Sequence, residues 1–459
     1  MIKALIAYCC LANFLAAAEK PNVILILADD LGYQGLSCYG SEIVRTPNID
    51  RLATGGQMWS QAYAGMATCA PSRAVLMSGQ YTPRTGIFRV VDRYKGNEDH
   101  IRYLVPPLAK GLAVEKVTLG EAFQAAGYTT GMFGKWHLGR GAMHPSNQGF
   151  DQAIESHSSH FNFKLDPESG EKIPEGTYLG DYLTDRSLEF MESCRKSDKP
   201  FFLYLPHFLV HKPLQSKEDL KAKYQKLLGK DYGPEVIELA AMTESLDESV
   251  GRIYQYLKDR DLLEQTLIVF TSDNGAYSLK GEAVNLLNRP LRESKGSLYE
   301  GGIRVPLIFH WPGKIGAGSS AEVPLHFVDL YPTLLDLAGL DKPAGYLLDG
   351  NSLSSIVLSP KAKFKPRELF WFFPKYSQYK EGKGWKNEWR NVIRYGDLKL
   401  IEYVETDRFE LFNLKEDPTE SKDLAGSDPE LMADMKARLE AGKKRYGAPV
   451  PVKNPDYVK

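Results

Sequence analysis

Cysteine is scarce in this chain, at five among 459 residues, and that scarcity excludes a disulfide scaffold. Two of the five, Cys9 and Cys10, fall in an apolar run from Ala4 to Ala17 that follows Met1-Ile2-Lys3 and ends in Ala16-Ala17-Ala18. This is the pattern of a secretory signal with an A-x-A cleavage site, predicted over residues 1–18. The run is too short for a transmembrane helix, so no stable membrane insertion is expected. A lipoprotein anchor through Cys9 or Cys10 would need a small residue where Tyr8 stands. With the leader removed, Cys38, Cys69 and Cys194 remain, an odd number for a periplasmic or extracellular protein, so at least one is free or chemically altered. An excess of charge of either sign is also missing, with 57 Lys and Arg against 58 Asp and Glu. Net charge therefore recruits neither nucleic acid nor an anionic membrane, and any attraction for an anion must be local.

The chain is long enough for more than one domain, since single cores stop growing beyond about 250–300 residues. Its 43% hydrophobic and 25% charged content are those of a globular protein. Continuous apolar runs at Asn22–Ala28, Pro200–Pro206, Thr266–Thr271 and Val305–Trp311 read as strands buried on both faces. Helical periodicity over Tyr182–Lys196, Glu235–Leu257 and Phe327–Ala338 alternates with them. The prediction is an α/β fold with a large, mainly parallel mixed sheet sandwiched by helices, over residues 19–358. After a Pro- and Lys-rich linker at Ser359–Pro366, short strands near 369–373, 391–394, 399–403 and 409–414 predict a smaller α+β subdomain on an antiparallel sheet, over residues 359–459. There is no internal repeat and no low-complexity tract.

The chemistry-bearing residues sit at strand ends. Asp29-Asp30 and Asp273-Asn274 each close a predicted buried strand, where open α/β sheets bind their ligands. Three carboxylates and an amide are hard oxygen donors suited to Ca²⁺, or to Mg²⁺, rather than zinc; a polar strand end capping its loop is the alternative. Cys69 precedes a proline and a short helical stretch carrying Arg73, so it is either a buried inert thiol or a reactive one near a helix N-terminus. Lys135 and His137 leave one strand together, and His207 and His211 follow another. A loop-rich stretch holds His144, His157 and His160 without the spacing of a zinc site, which favours exposed or substrate-contacting roles. Arg73, Lys135, His137, His211 and Lys295 are the cations and proton carriers that sulfuryl or phosphoryl transfer requires.

The segments ADDLGY, TPNIDRLA, CAPSRAVLMSGQY, GKWHLG, FFLYLPHFLVHKPL, SDNG, KGSLYEGGIRVP and ELFNLKEDPTE occur in that order over nearly the whole mature chain. In them the sequence resembles the type I sulfatases, the formylglycine-dependent branch of the alkaline phosphatase superfamily. The resemblance implies that a maturation enzyme converts Cys69 to Cα-formylglycine, whose hydrate is the nucleophile. It implies Ca²⁺, in preference to Mg²⁺, on Asp29, Asp30, Asp273, Asn274 and the modified residue 69. Arg73 and Lys135 would hold the hydrate and the sulfate, and Lys295 a sulfate oxygen. His211, in a His-x-Pro pattern, would protonate the leaving alcohol, and His137 would help deprotonate residue 69 so that sulfate departs.

The implied activity is hydrolysis of a sulfate ester on a sulfated sugar or polysaccharide. A phosphonate or phosphate monoester hydrolase with the same site is the alternative, and an inactive secreted glycan-binding protein is an alternative of another class. Arg89, His157 and His160 are expected to touch substrate with Lys135, His211 and Lys295. Trp371, Tyr376, Trp385, Trp389 and Arg390 could supply a sugar subsite or could pack the small domain on the large one.

Overall fold

The computed structural model describes residues 20–90, 98–165, 171–279, 286–377, 379–380, 384–385 and 388–458, without the side chains of 379, 384 and 385. The predicted leader, with Cys9 and Cys10, and the Trp385 side chain lie outside the described residues. Among the described residues no helix is long and apolar enough to cross a membrane.

Strand β1 (Asn22–Ala28) has all seven residues buried, as its unbroken apolar run requires. The other strands of its sheet are β2 (Gln57–Tyr63), β3 (Thr129–Gly134), β4 (Gln152–Glu155), β5 (Phe201–Pro206), β6 (Thr266–Ser272), β7 (Arg304–His310), β8 (Ser319–Ala321) and β9 (Leu325–His326). Their order is β9-β2-β7-β6-β1-β5-β3-β4, with β8 also paired to β2. All pairings are parallel except those of β7, which runs antiparallel to both β2 and β6. The sheet is thus mixed but mostly parallel. β1 lies between β5 and β6, strands far from it in sequence, so three strand ends meet at one edge.

Residues alternate between the two faces of β1, as the twofold period of a strand dictates. Ile24, Ile26 and Ala28 pack with helices α2 (Leu179–Lys196) and α3 (Pro234–Asp259). Val23, Leu25 and Leu27 share the opposite core with α1 (Cys69–Ser78) and α4 (Phe327–Leu337). That second core continues into the C-terminal sheet, β10 (Glu368–Phe373), β11 (Arg390–Tyr395), β12 (Leu398–Tyr403) and β13 (Arg408–Asn413), through Phe370, Phe372, Ile393, Leu400 and Leu411. These four strands form an antiparallel sheet in sequence order, with α5 (Pro429–Tyr446) packed on it through Met435 and Leu439. The other face of this sheet places Leu369, Trp371, Val392, Ile401 and Phe412 against Tyr63, Leu298 and Ile303.

A buried ion cluster joins the two sheets. Lys399 on β12 lies 2.9 Å from Glu300 and 2.8 Å from Glu420, with all three side chains at 1% exposure or less. Tyr63 donates to Glu300 at 2.7 Å, and the Glu300 amide donates to Glu420 at 2.7 Å. Removing one partner of a buried pair leaves an uncompensated charge, a loss of about 3–5 kcal/mol. Lys399→Met should lower the free energy of unfolding by about that amount, read from urea titration; a change smaller than about 1 kcal/mol would assign the two sheets to apolar packing alone.

Candidate active site

Helix α1 starts at Cys69 itself, with Thr68 extended before it, two residues earlier than Pro71 suggests. Pro71 is tolerated because the first four amides of a helix have no intrahelical partner. All ten residues of α1 are buried. The Cys69 thiol donates to Asp29 at 3.3 Å and lies 3.7 Å from Asp30, while Lys295 Nζ donates to its sulfur at 3.1 Å.

The acids come from neighbouring strand ends. Asp29 and Asp30 follow β1, and Asp273 and Asn274 follow β6, with 0–2% exposure at all four. Backbone hydrogen bonds fix the ends together: the Asp29 amide donates to Leu209 at 2.8 Å, and the Asp273 amide to Ala28 at 3.0 Å. The Asp30 amide donates to Asp273 Oδ1 at 3.1 Å, and Asn274 Nδ2 to Asp30 at 2.7 Å. Asp30 and His137 both have φ near +63°. A left-handed backbone at two non-glycine residues is costly and typical of functional sites.

Three fixed cations face the three carboxylates. Arg73 Nε donates to Asp273 at 2.9 Å, and its Nη2 lies 2.8 Å from Asp273 and 3.6 Å from Asp29. Lys135 Nζ lies 2.6 Å from Asp29, and Lys295 Nζ 2.6 Å from Asp30. Burial alone would raise the Asp29 carboxyl, but the charges of Lys135 and Arg73 hold it well below the usual carboxylate range. Burial and the charges of Asp273 and Asp29 push the Cys69 thiol well above its ordinary value. A low-pKa reactive thiol, one expectation for this residue, is therefore not what the site supports. Asp29, Asp30, Cys69 and His211 offer ligand atoms within 4.8 Å of one another. Asn274 Oδ1 is buried beside them, with no hydrogen-bond donor among the described residues.

Of the two histidine candidates after β5, His211 reaches the site. Its Nε2 is 3.6 Å from Asp30, and its Nδ1 is 2.6 Å from the Lys212 carbonyl. His207 is fully buried and faces Ser249 at 2.9 Å. His137 is pulled down to about 2 by burial and the charges of Lys135 and Arg73, so it is neutral, and its buried Nδ1 has no hydrogen-bond partner among the described residues. His157 stacks on His137 with ring centroids 6.2 Å apart. Arg89 is buried and lines the same cavity as His137 and His157.

His160, expected to be exposed or to touch substrate, is not at the surface of the site. It is fully buried between Phe208 and Tyr178, and its Nε2 sits 2.9 Å from the His211 carbonyl, so it steadies the His211 loop. Trp371, Tyr376 and Trp389 are also at most 2% exposed, which makes them packing residues rather than a sugar subsite. Trp371 donates to the Ala64 carbonyl at 3.0 Å. Lys375, which nothing in the sequence singles out, follows β10 into the neighbourhood of the site. Burial and the charge of Lys295 pull it down to about 8, and it also feels Cys69. Only the fold brings it there.

The Sulfatase family model matches residues 21–340, and the model of the C-terminal part of N-sulphoglucosamine sulphohydrolase matches residues 294–445. A sulfatase of Formosa agariphila is 31% identical, over 94% of this chain and 90% of its own. Human arylsulfatase A is 35% identical, over 80% of this chain and 73% of its own. The crystal structure of Ps i-CgsB in complex with k-i-k-neocarrahexaose superposes with a TM-score of 0.77 at 30% identity, covering 92% of this chain and 93% of that one.

The buried histidines make stability depend on pH. Burial, then the charge of His160, pulls His207 from 6.5 down to about 3. Its folded pKa is depressed, so the unfolded chain takes up the proton first. The stability is complete above about pH 6.5 and is lost as pH falls toward the folded value, by about 2 kcal/mol at pH 5. His207→Gln should flatten the acid side of the stability profile by that amount. Parallel profiles for the two proteins between pH 7 and 5 would contradict a neutral His207.

Proposed function

Because the chain belongs to the sulfatase family of the alkaline phosphatase superfamily and is a sulfuric ester hydrolase, we propose that it cleaves the sulfate ester of a sulfated sugar at residue 69. The observation that carries this reading is Cys69 at the first position of α1, in contact with both Asp29 and Lys295. The carbohydrate substrate is supported by the oligosaccharide in the similar Ps i-CgsB structure.

Residue 69 acts as Cα-formylglycine, made from Cys69 by a maturation enzyme, and its hydrate supplies a nucleophile that can release sulfate by elimination. The raised thiol supports this, since an unmodified Cys69 would stay protonated and weakly nucleophilic. Asp29, Asp30, Asp273, Asn274 and residue 69 fit a calcium ion: their oxygens are hard donors, and Asn274 Oδ1 is a buried acceptor awaiting a partner. A calcium ion held there would supply Lewis-acid polarisation of the sulfate ester.

The chain's own groups do the rest. Arg73 balances Asp273 and orients it, while Lys135 and Lys295 offer ammonium groups to the sulfate oxygens and to residue 69. His211 directs Nε2 into the site, with Nδ1 held by the Lys212 carbonyl, and gives its proton to the leaving alcohol. Burial lowers its affinity for that proton, and the arriving sulfate adds a negative charge that restores it. His137 is neutral with Nδ1 unengaged, the state in which it accepts a proton from the residue 69 hydroxyl. Arg89 and His157 contact the sugar. Residues 19–358 carry the reacting groups and 359–459 buttress them, and the leader at 1–18 takes the enzyme to the periplasm or outside the cell.

The tryptic peptide bearing residue 69 should be lighter by roughly 18 Da than the thiol form, and Cys69→Ser should lose multiple turnover on p-nitrophenyl sulfate. Sustained turnover by Cys69→Ser would refute the formylglycine route. Metal-stripped enzyme should gain about 2.7 kcal/mol of stability at a hundredfold excess of Ca²⁺ over Kd, seen as a higher Tm, and Asn274→Ala should shrink that gain. A Tm indifferent to Ca²⁺ would remove the ion from the site.

A further inference from the structure

A cavity of about 440 Å³ is lined by Ala70, the residue after Cys69, and by His137. Its size falls in the range of small-molecule sites, about 300–1,000 Å³. Three cations line it with His157: Arg89 in the wall, and Lys110 and Arg140, both exposed. The one acid in the lining among the described residues, Glu155, is already occupied, accepting from the His137 amide at 3.4 Å and lying 3.6 Å from His157. Neither Lys110 nor Arg140 has an ion-pair partner among the described residues.

The placement of these two cations is specific. Lys110 precedes Gly111, and Arg140 follows Gly139. The Leu112 amide donates to the Leu138 carbonyl at 2.7 Å, so the two segments run side by side. A Cβ on Gly111 would lie 2.4 Å from the Leu138 carbonyl oxygen and 2.8 Å from the Gly139 Cα, so only glycine permits this approach. Two exposed cations are thereby set on one rim, and a concave wall concentrates their field on what enters.

We propose that this cavity is a second anion subsite, so that the substrate is a sugar chain bearing an acidic group, sulfate or carboxylate, in addition to the sulfate ester that is cut. The proposal rests on the sulfatase reading and narrows its substrate class. Lys110 and Arg140 bind the second acid through solvent-screened charge, and Arg89 and His157 shape the wall beneath it.

The test is steady-state sulfate release from galactan disaccharides with one or with two sulfates, and from a monosulfated disaccharide that also carries a uronic acid, with p-nitrophenyl sulfate as a probe of the centre alone. A doubly acidic sugar should exceed the monosulfated one in kcat/KM by about tenfold, mostly through KM. In the Lys110→Ala/Arg140→Ala double variant that ratio should fall to about one. The disulfated and uronate arms show which acid the rim prefers. Equal kcat/KM for singly and doubly acidic sugars, no cleavage of the doubly acidic ones, or an unchanged ratio in the double variant overturns the subsite. Failure to release sulfate from every compound, p-nitrophenyl sulfate included, overturns the sulfatase reading itself.

Discussion

Three carboxylates are buried at adjoining strand ends, and the rest of the site follows from the need to offset them. Asp29, Asp30 and Asp273 have almost no access to water, and an isolated buried carboxylate would take up a proton rather than stay charged. Arg73, Lys135 and Lys295 offset that cost by approaching within 2.6–2.8 Å. The three cations arrive from α1, from the end of β3 and from the loop before β7. The fold around the site is therefore held by the same charges that prepare it for an anion. With three carboxylates and three cationic side chains the formal charges cancel, and a divalent cation held there would leave the cluster positive overall. That surplus is what a singly charged sulfate ester and an ionising hydroxyl would take up.

The backbone carries part of this arrangement. Asp30 and His137 are held in the left-handed region that a side chain disfavours, at the two places where the chain turns from a strand end into the site. The Asp30 amide is hydrogen-bonded to Asp273, and two residues before His137 the Lys135 amide donates to the Pro206 carbonyl at 2.8 Å. The C-terminal sheet adds to the constraint from the other side. Glu300, in the Lys399 cluster, follows Lys295 by five residues, so the ions that join the sheets also fix the segment that delivers that lysine.

Much of this was legible in the sequence because strands buried on both faces are nearly continuous apolar runs, and whatever polar residue ends them must lie at the sheet edge. Asp29-Asp30 and Asp273-Asn274 were identifiable on that ground alone. The neighbouring order of β1, β5 and β6 was not, because pairing between distant strands leaves no local pattern. The same holds for β2, whose half-buried mixture of residues, Gln57 to Tyr63, lacks a clean period, and for the antiparallel course of β7. A histidine in a polar loop reads as exposed, whereas His160 is buried by Phe208 and Tyr178, residues from other segments. Trp371, Tyr376 and Trp389 had two readings, and burial decides for packing.

The contrast between the two kinds of cation in this molecule separates chemistry from recognition. Arg73 and Lys135 are dehydrated and paired at fixed distances, so their removal would disturb the acids as much as any substrate. Lys110 and Arg140 cost no burial and balance no acid among the described residues, and the glycines that place them contribute no packing of their own. A side chain that stability does not require, positioned by a backbone approach that only glycine allows, is free to be selected for what it binds. In this enzyme the reacting centre is constrained by electrostatics to one charge pattern, whereas the rim beside it can change its preference by changing two exposed side chains.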